Sequence, residues 1–467
     1  MEMRRLNRRD FLRLCAAATT GAMMVACQST ATPAPTEKET EEKPEEERPA
    51  APAEKVHILY QDWPDESYRQ AWQEVRDIFT DAHPNIEVEY RGRPEQYLEK
   101  LLAQFAAGTA PDIFETCCPA GRLFWEMGNL LVLDPYAEKT VSEEDMKDLP
   151  GGQMKFWRAS DTDELYGWPK YQGNLAIFIN LEMAGEARVT YPGGWDEAWT
   201  PDQYREVLKK LTKGKLEQPQ RVYGGGRYQW SDRDTPFLLS NGAHFVNPDD
   251  DTECWLGKSE AQEVLEFWRV LRREDHSMPN PAEVGEEAHM RSQFPDRKIA
   301  TMEEGSWALK EMSEVCPFPW DVAPLYHWPR GVHTLATSDG WHIWKETKSP
   351  DAAWELMVFL SGGVYGKALA KAHFLQPARL SLMDDYTKIL REQAPPLEKV
   401  NLELFKEARE RDLGYPMELY WNQSMAEEIL KPVFQQVFGL GKAGVDAIAQ
   451  ACDELTERLR AEKAKKG

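Results

Sequence analysis

Val56-His57-Ile58-Leu59-Tyr60, Ile86-Glu87-Val88-Glu89-Tyr90 and Ile113-Phe114-Glu115-Thr116 are three short runs of β-branched and aromatic residues. The chain between them repeats apolar positions at helical spacing, predicting helices over 68–82 and 95–107. Gln61-Asp62-Trp63-Pro64 ends the first run, and Gly108-Thr109-Ala110-Pro111-Asp112 leads into the third. Strands alternating with helices of this length imply an α/β fold, a parallel sheet covered on both faces. Ligands of such sheets gather at the carboxyl ends of the strands, which places Asp62, Trp63 and Glu115 beside a binding crevice.

Towards the carboxyl terminus, Leu165-Tyr166-Gly167-Trp168-Pro169-Lys170-Tyr171 leads into Leu175-Ala176-Ile177-Phe178-Ile179-Asn180, a continuous apolar run typical of a strand buried on both faces. A second α/β lobe begins there. Helices are predicted over 201–212, 259–275 and 351–360, the last opened by Ser349-Pro350-Asp351. No internal repeat is evident.

Towards the amino terminus, residues 1–27 have a basic start, a short weakly apolar stretch and small residues before a cysteine, the layout of a targeting segment. Arg8 and Arg9 lie in Asn7-Arg8-Arg9-Asp10-Phe11-Leu12-Arg13, which resembles a twin-arginine export signal. Met24-Val25-Ala26-Cys27 resembles a lipobox, with Met24 where Leu is usual, and makes Cys27 the lipidated first residue of an anchored protein. Residues 28–55 are rich in Pro and Glu and hold only Ala among apolar types, so they cannot bury enough surface to order. As a disordered tether they span on the order of 30 Å.

The 467 residues are 42% apolar and 11% aromatic, enough for sizeable cores, and the formal charge of −23 argues against nucleic acid as a partner. The seven cysteines include no CxxC pair, and no clustered histidines accompany them, so no metal site or cofactor is expected. Adjacent Cys117 and Cys118 are read as free buried thiols rather than a strained disulfide. Gly224-Gly225-Gly226 lacks the following Lys-Ser/Thr of a phosphate loop and is read as backbone freedom. Lys170, Arg227 and Arg233 are read as solvated surface charge, with a phosphate site as the alternative.

Several segments together carry a resemblance. They are Ala106–Ile113, Tyr166-Gly167-Trp168-Pro169 ahead of the strand ending at Asn180, Phe294–Trp307, Trp320–Leu325, Leu335–Trp344, and Asp351-Ala352-Ala353-Trp354-Glu355. In this order the chain resembles extracellular solute-binding proteins of family 1, with the type II periplasmic-binding fold that includes maltose-binding protein. The resemblance implies two discontinuous lobes and a hinge, with lobe one at 56–117 and 322–372 and lobe two at 118–321 and 373–467. It further implies a substrate-binding lipoprotein, not an enzyme and monomeric, that captures a mono- or oligosaccharide by hinge closure and delivers it to ABC permease subunits. Two alternatives stand: the same fold binding a non-sugar solute (a glycerol phosphodiester, polyamine or peptide), or a secreted glycoside hydrolase.

A sugar presents hydroxyls at its rim and a weakly apolar C–H face, so its site needs carboxylates or amides beside aromatic platforms. By position in the family pattern, Trp307, Tyr420 and Trp421 are the expected lobe-two aromatics, and Asp339-Gly340-Trp341 joins Asp62, Trp63 and Glu115 from lobe one. Tyr171, Gln172, Tyr228 and Trp230 complete the expected ligand-binding set. Each aromatic has packing as its alternative role, and Asp339 and Glu115 have capping or turns. Trp125, Trp157, Trp268 and Trp354 are assigned to packing.

Overall fold

The computed structural model describes residues 55–466 apart from 118, 217–220, 229–230, 281–287 and 338. The expected twin-arginine pair, Cys27 and Trp230 therefore lie outside the described residues, as does nearly all of the tether.

The chain enters at β1 (Val56–Asp62), followed by α1 (Glu66–Ala82), β2 (Ile86–Gly92), α2 (Tyr97–Ala107), β3 (Ile113–Thr116) and α3 (Ala120–Glu126). α1 buries Tyr68, Ala71, Trp72, Val75 and Phe79, a three- and four-residue spacing that lays one face on the sheet. α2 stops at Gly108, whose φ of +67° closes the last turn in a conformation that costs a glycine little. β1 pairs in parallel with both β2 and β3. The sheet then continues through β12 (Gly340–Ile343) and β4 (Trp168–Pro169), in the order β2-β1-β3-β12-β4. β12 runs antiparallel to β3, so the sheet is parallel only across its first three strands. This strand has no helical crossover from β3; it arrives from the other half of the molecule, which frees its direction.

The second sheet has the order β10-β5-β9-β6, from β5 (Leu175–Asn180), β6 (Gly226–Arg227), β9 (Thr301–Gly305) and β10 (Trp320–Ala323). All six residues of β5 are buried, as a strand with neighbours on both edges and helices on both faces requires. β7 (Val246–Asn247) and β8 (Asp250–Cys254) form a hairpin, and β11 (Thr334–Leu335) pairs with β13 (Gly414–Tyr415). Cys254 is disulfide-bonded to Cys452 on the final helix, α4 (Asp446–Lys466), a pairing the spacing had not disclosed. Cys117 is a partly exposed free thiol, and its neighbour at 118 is outside the described residues.

Two separate hydrophobic cores define the lobes. One holds Ile58, Phe114, Phe124, Trp157, Trp168, Trp341 and Trp354; the other holds Ile177, Trp195, Trp268, Met302, Val322, Leu335 and Leu430. The expected change of lobe at 118 is corrected by this division. Residues 120–171 pack into the first core, because Phe124, Leu133 and Trp157 sit under the β3–β12–β4 side of the first sheet. The expected return at 322 moves likewise, since β10 pairs with β5 and Leu335 still belongs to the second core. The chain crosses between lobes at 172–174, again after Thr337 and again beyond Ala378. The first two crossings lie side by side: the Gly173 amide donates to Thr337 Oγ1 (2.7 Å), and Asn174 Nδ2 donates to the Leu335 carbonyl (2.7 Å). Among the described residues no helix is long and apolar enough to cross a membrane.

Candidate functional site

The ends of β1, β2 and β3 all point into the cleft between the lobes, and the residue following each contributes to it: Trp63, Arg93 and Cys117. A cavity of about 230 Å³ lies there. Lobe one supplies Trp63, Cys117, Tyr171 and Asp339, while lobe two supplies Asp232, Arg233, Arg291, Trp307 and Leu335, with Thr337 at the crossing. Trp307 packs against both cores, so its ring sits at the junction of the lobes. Gly173 makes this possible: a Cβ there would come within 2.7 Å of the Trp307 ring.

Beneath the lobe-one wall lies a buried ionic layer. Asp62, fully buried, pairs with Lys170 and accepts hydrogen bonds from Tyr60 Oη (2.9 Å), Tyr365 Oη (3.2 Å) and the Trp63 amide (2.7 Å). Its short contacts fix the backbone turn that presents Trp63. Glu115 pairs with Arg93, whose guanidinium lies 3.6 Å from the centroid of the Trp63 ring and 4.2 Å from that of Tyr97. Burial lifts the carboxyls of both Glu115 and Asp339 above their ordinary range, with Lys170 and Arg93 opposing the shift, and the two acids are in hydrogen-bonding contact. Among the described residues Glu115 Oε1 receives no donor, and two acids this close favour holding a proton over ionising together. Tyr171 donates to Asp339 from the cavity wall.

On the lobe-two wall, fully buried Glu304 is the organising group. It accepts from Arg233 Nη1 (2.7 Å), Arg291 Nε (3.1 Å) and the Gly305 amide (2.8 Å). Burial works to raise its carboxyl, but the two guanidiniums outweigh that and hold it below the ordinary range. Arg233 also lies 5.0 Å from the ring centroids of Trp307 and Tyr228, so the cation braces the aromatic platform.

Cys117 separates this cavity from a second, larger one of about 610 Å³. Arg93, Tyr97, Arg122, Leu123 and Glu126 line it from lobe one, and Tyr420, Asn422, Gln423, Ser424 and Glu427 from lobe two. Arg122 Nη2 reaches across to Asp251 Oδ2 on β8 (2.9 Å), and Ser160 Oγ donates to the same oxygen (2.9 Å), tying the lobes together at the rim.

The expected site residues are distributed as follows. Trp63, Tyr171, Trp307 and Asp339 line the smaller cavity, and Tyr420 lines the larger one. Asp62 and Glu115 are buried behind the wall. Trp341 is fully buried in the first core, its ring 5.3 Å from that of Tyr60, and Gly340 is pressed against Trp157, where a Cβ would approach to 2.6 Å. Gln172 is buried at the first crossing, Tyr228 lies behind Arg233, and Trp421 packs on the second core. Lys170 and Arg227 are corrected from surface charge to buried ion pairs, Lys170 with Asp62 and Arg227 with Asp234 and Glu303. Arg93 was missed although it follows β2, where the strand-end rule applies as well as it does to Trp63. Asp232 and Arg291 come from helical stretches with no local signal.

Residues 62–362 match the bacterial extracellular solute-binding proteins. No curated protein sequence matches the chain. Among solved structures, the fold is similar to an ABC substrate-binding protein from Listeria monocytogenes in complex with cycloalternan, with 21% identity, TM-score 0.72, and coverage of 88% of this chain and 100% of that one. It is similar also to the cyclic α-maltosyl-1,6-maltose binding protein of Arthrobacter globiformis (16% identity, TM-score 0.70, 87% and 99% covered). A third is the maltose/maltodextrin-binding domain of Bdellovibrio bacteriovorus bound to maltotriose (18% identity, TM-score 0.65, 86% and 99% covered). With a match over most of the two-lobed body and a cleft built from both lobes, the chain belongs to the bacterial extracellular solute-binding protein family.

Proposed function

We propose that this protein captures an oligosaccharide between its lobes, held to the outer face of the membrane through Cys27, and hands it to the permease of an ABC importer. The observation that carries the reading is the cleft: Trp63, Tyr171 and Trp307 as platforms beside Asp339, Arg233, Arg291 and Thr337 as rim groups. Aromatic faces with polar groups around them suit a ring of C–H bonds edged by hydroxyls. Small-molecule sites occupy roughly 300–1,000 Å³. The cavity at Trp307 falls below that range and suits a single sugar unit, whereas the neighbouring 610 Å³ chamber gives further units somewhere to go. Relatives of the same fold are described with cycloalternan and maltotriose, which favours the same ligand class.

A hydrolase fits less well. Glycosidic cleavage uses two carboxyls roughly 5–10 Å apart, one on each side of the bond. Here Glu115 and Asp339 touch each other, and Asp62, Asp232 and Glu304 are held in ion pairs. Nor is a phosphate ligand favoured, because Lys170, Arg227 and Arg233 already face carboxylates. A thermal-shift screen of mono- and oligosaccharides, phosphodiesters, polyamines and peptides tests the proposal. Stabilisation by oligosaccharides above monosaccharides is expected, with the sugars recovered unchanged. A response confined to non-sugars, or release of smaller sugars, overturns it.

A further inference from the structure

The lobe-one wall carries one acid more than it has bases. Three buried carboxylates, Asp62, Glu115 and Asp339, stand against two cations, Lys170 and Arg93. Lys170 is taken up by Asp62 and Arg93 by Glu115 Oε2, so among the described residues Asp339 has no ion-pair partner although its surroundings are almost dry. It is in hydrogen-bonding contact with Glu115, whose second oxygen is fully buried and receives no donor among the described residues. Two carboxyls in such contact cannot both ionise unless a positive charge comes between or beside them. With Arg93 and Lys170 each committed to another carboxylate oxygen, the pair favours holding one proton. Asp339 is the member of the pair that also lines the cavity, with the Trp63, Tyr171 and Trp307 side chains around it.

The opposite wall does not offset this excess. Arg233 and Arg291 are turned onto Glu304, with Asp232 and Glu311 as further acids beside them. The cleft as a whole is therefore hostile to an anionic solute and short of one positive charge at Asp339. We propose that the sugar taken here carries a basic nitrogen, an unacylated amino group whose ammonium seats against Asp339 and displaces the proton shared with Glu115. This rests on the carbohydrate reading above and narrows it to amino sugars. Aromatic rings flanking the carboxylate suit an ammonium, since their faces attract cations. The groups facing Asp339 are Glu115, Lys170, Tyr171, Arg93 and Tyr68, with Asp62 and Cys117 beyond them. Within that set the Glu115–Asp339 proton is the one the ammonium replaces.

The test is calorimetric titration of the wild-type protein with matched pairs: glucosamine, galactosamine and the glucosamine trimer, each against its N-acetylated and its hydroxyl counterpart. At least one amino sugar is expected to bind tenfold or more tightly than its partners. Repeating that titration at pH 7 in phosphate and in Tris should show about one proton released per amine bound and none for a neutral sugar. In Asp339→Asn the preference for the amine should collapse to parity. If this variant does not fold, the wild-type proton count carries the test alone. Neutral sugars binding as well as amino sugars, or amine binding without proton release, overturns the inference and leaves the carbohydrate reading standing. Binding of spermidine with no sugar bound at all overturns both.

Discussion

Trp307 is the residue on which the cleft turns, because it alone among the cavity's aromatics packs against both cores. Trp307→Ala is expected to weaken oligosaccharide binding about ten- to a hundredfold, roughly 1.4–2.8 kcal/mol, read by titration calorimetry. Lys170→Met leaves Asp62 without its ion-pair partner in a dry layer. A loss of about 3–5 kcal/mol in denaturant unfolding is expected, since breaking a buried pair costs far more than replacing both members. The acid pair predicts a pH effect of defined sign. Both folded carboxyls are raised, so the folded protein holds a proton that the unfolded chain releases above about pH 4. Stability should therefore be lost as pH rises from there through the folded values. Asp339→Asn should flatten that slope in a melting series. Residue placement was legible in part: Asp339, expected from the family pattern, and Tyr171, expected where the chain enters lobe two, both line the cavity, whereas the burial of Trp341 depends on which face of β12 meets Tyr60.

At the scale of elements, the strands that open and centre the lobes were readable because their periodicity is local. β1, β2, β3 and β5 lie where alternating or continuous apolar runs place them, and α1 begins within two residues of its expected start. Pairing was not readable. Nothing in Gly340-Trp341-His342-Ile343 says that it runs against β3, and nothing in the spacing of Cys254 and Cys452 says that they meet. The disulfide ties the β7–β8 hairpin to the last helix across a sequence separation of 198 residues. Closing so long a loop restricts the unfolded chain strongly, and Cys254→Ser with Cys452→Ser is expected to lower unfolding free energy by about 2–5 kcal/mol, measured with denaturant. The hairpin also presents Asp251, so the same staple steadies the rim contact to Arg122.

For the whole molecule, the crossings at 172–174 and after Thr337 make a hinge, and the Arg122–Asp251–Ser160 contact makes a clasp on the far side of the second chamber. Closure then depends on what lies between, because a ligand shifts the lobes only by what it gains in one arrangement over the other. Asp251→Ala should favour the open form, seen as a larger radius of gyration without ligand by small-angle scattering. The lobe limits were the least legible feature. Residues 120–171 look like the start of a new lobe by order along the chain and join the first only through long-range packing of Phe124 and Trp157.

Holding a solute between the lobes on the Trp307 platform makes binding depend on that one ring. Titration calorimetry of the wild-type protein and Trp307→Ala against one panel of oligosaccharides tests it most directly. Saturable one-to-one binding to the wild type and at least tenfold weaker binding to the variant are expected. Equal affinity in the two proteins, or no saturable heat with any oligosaccharide, would contradict it.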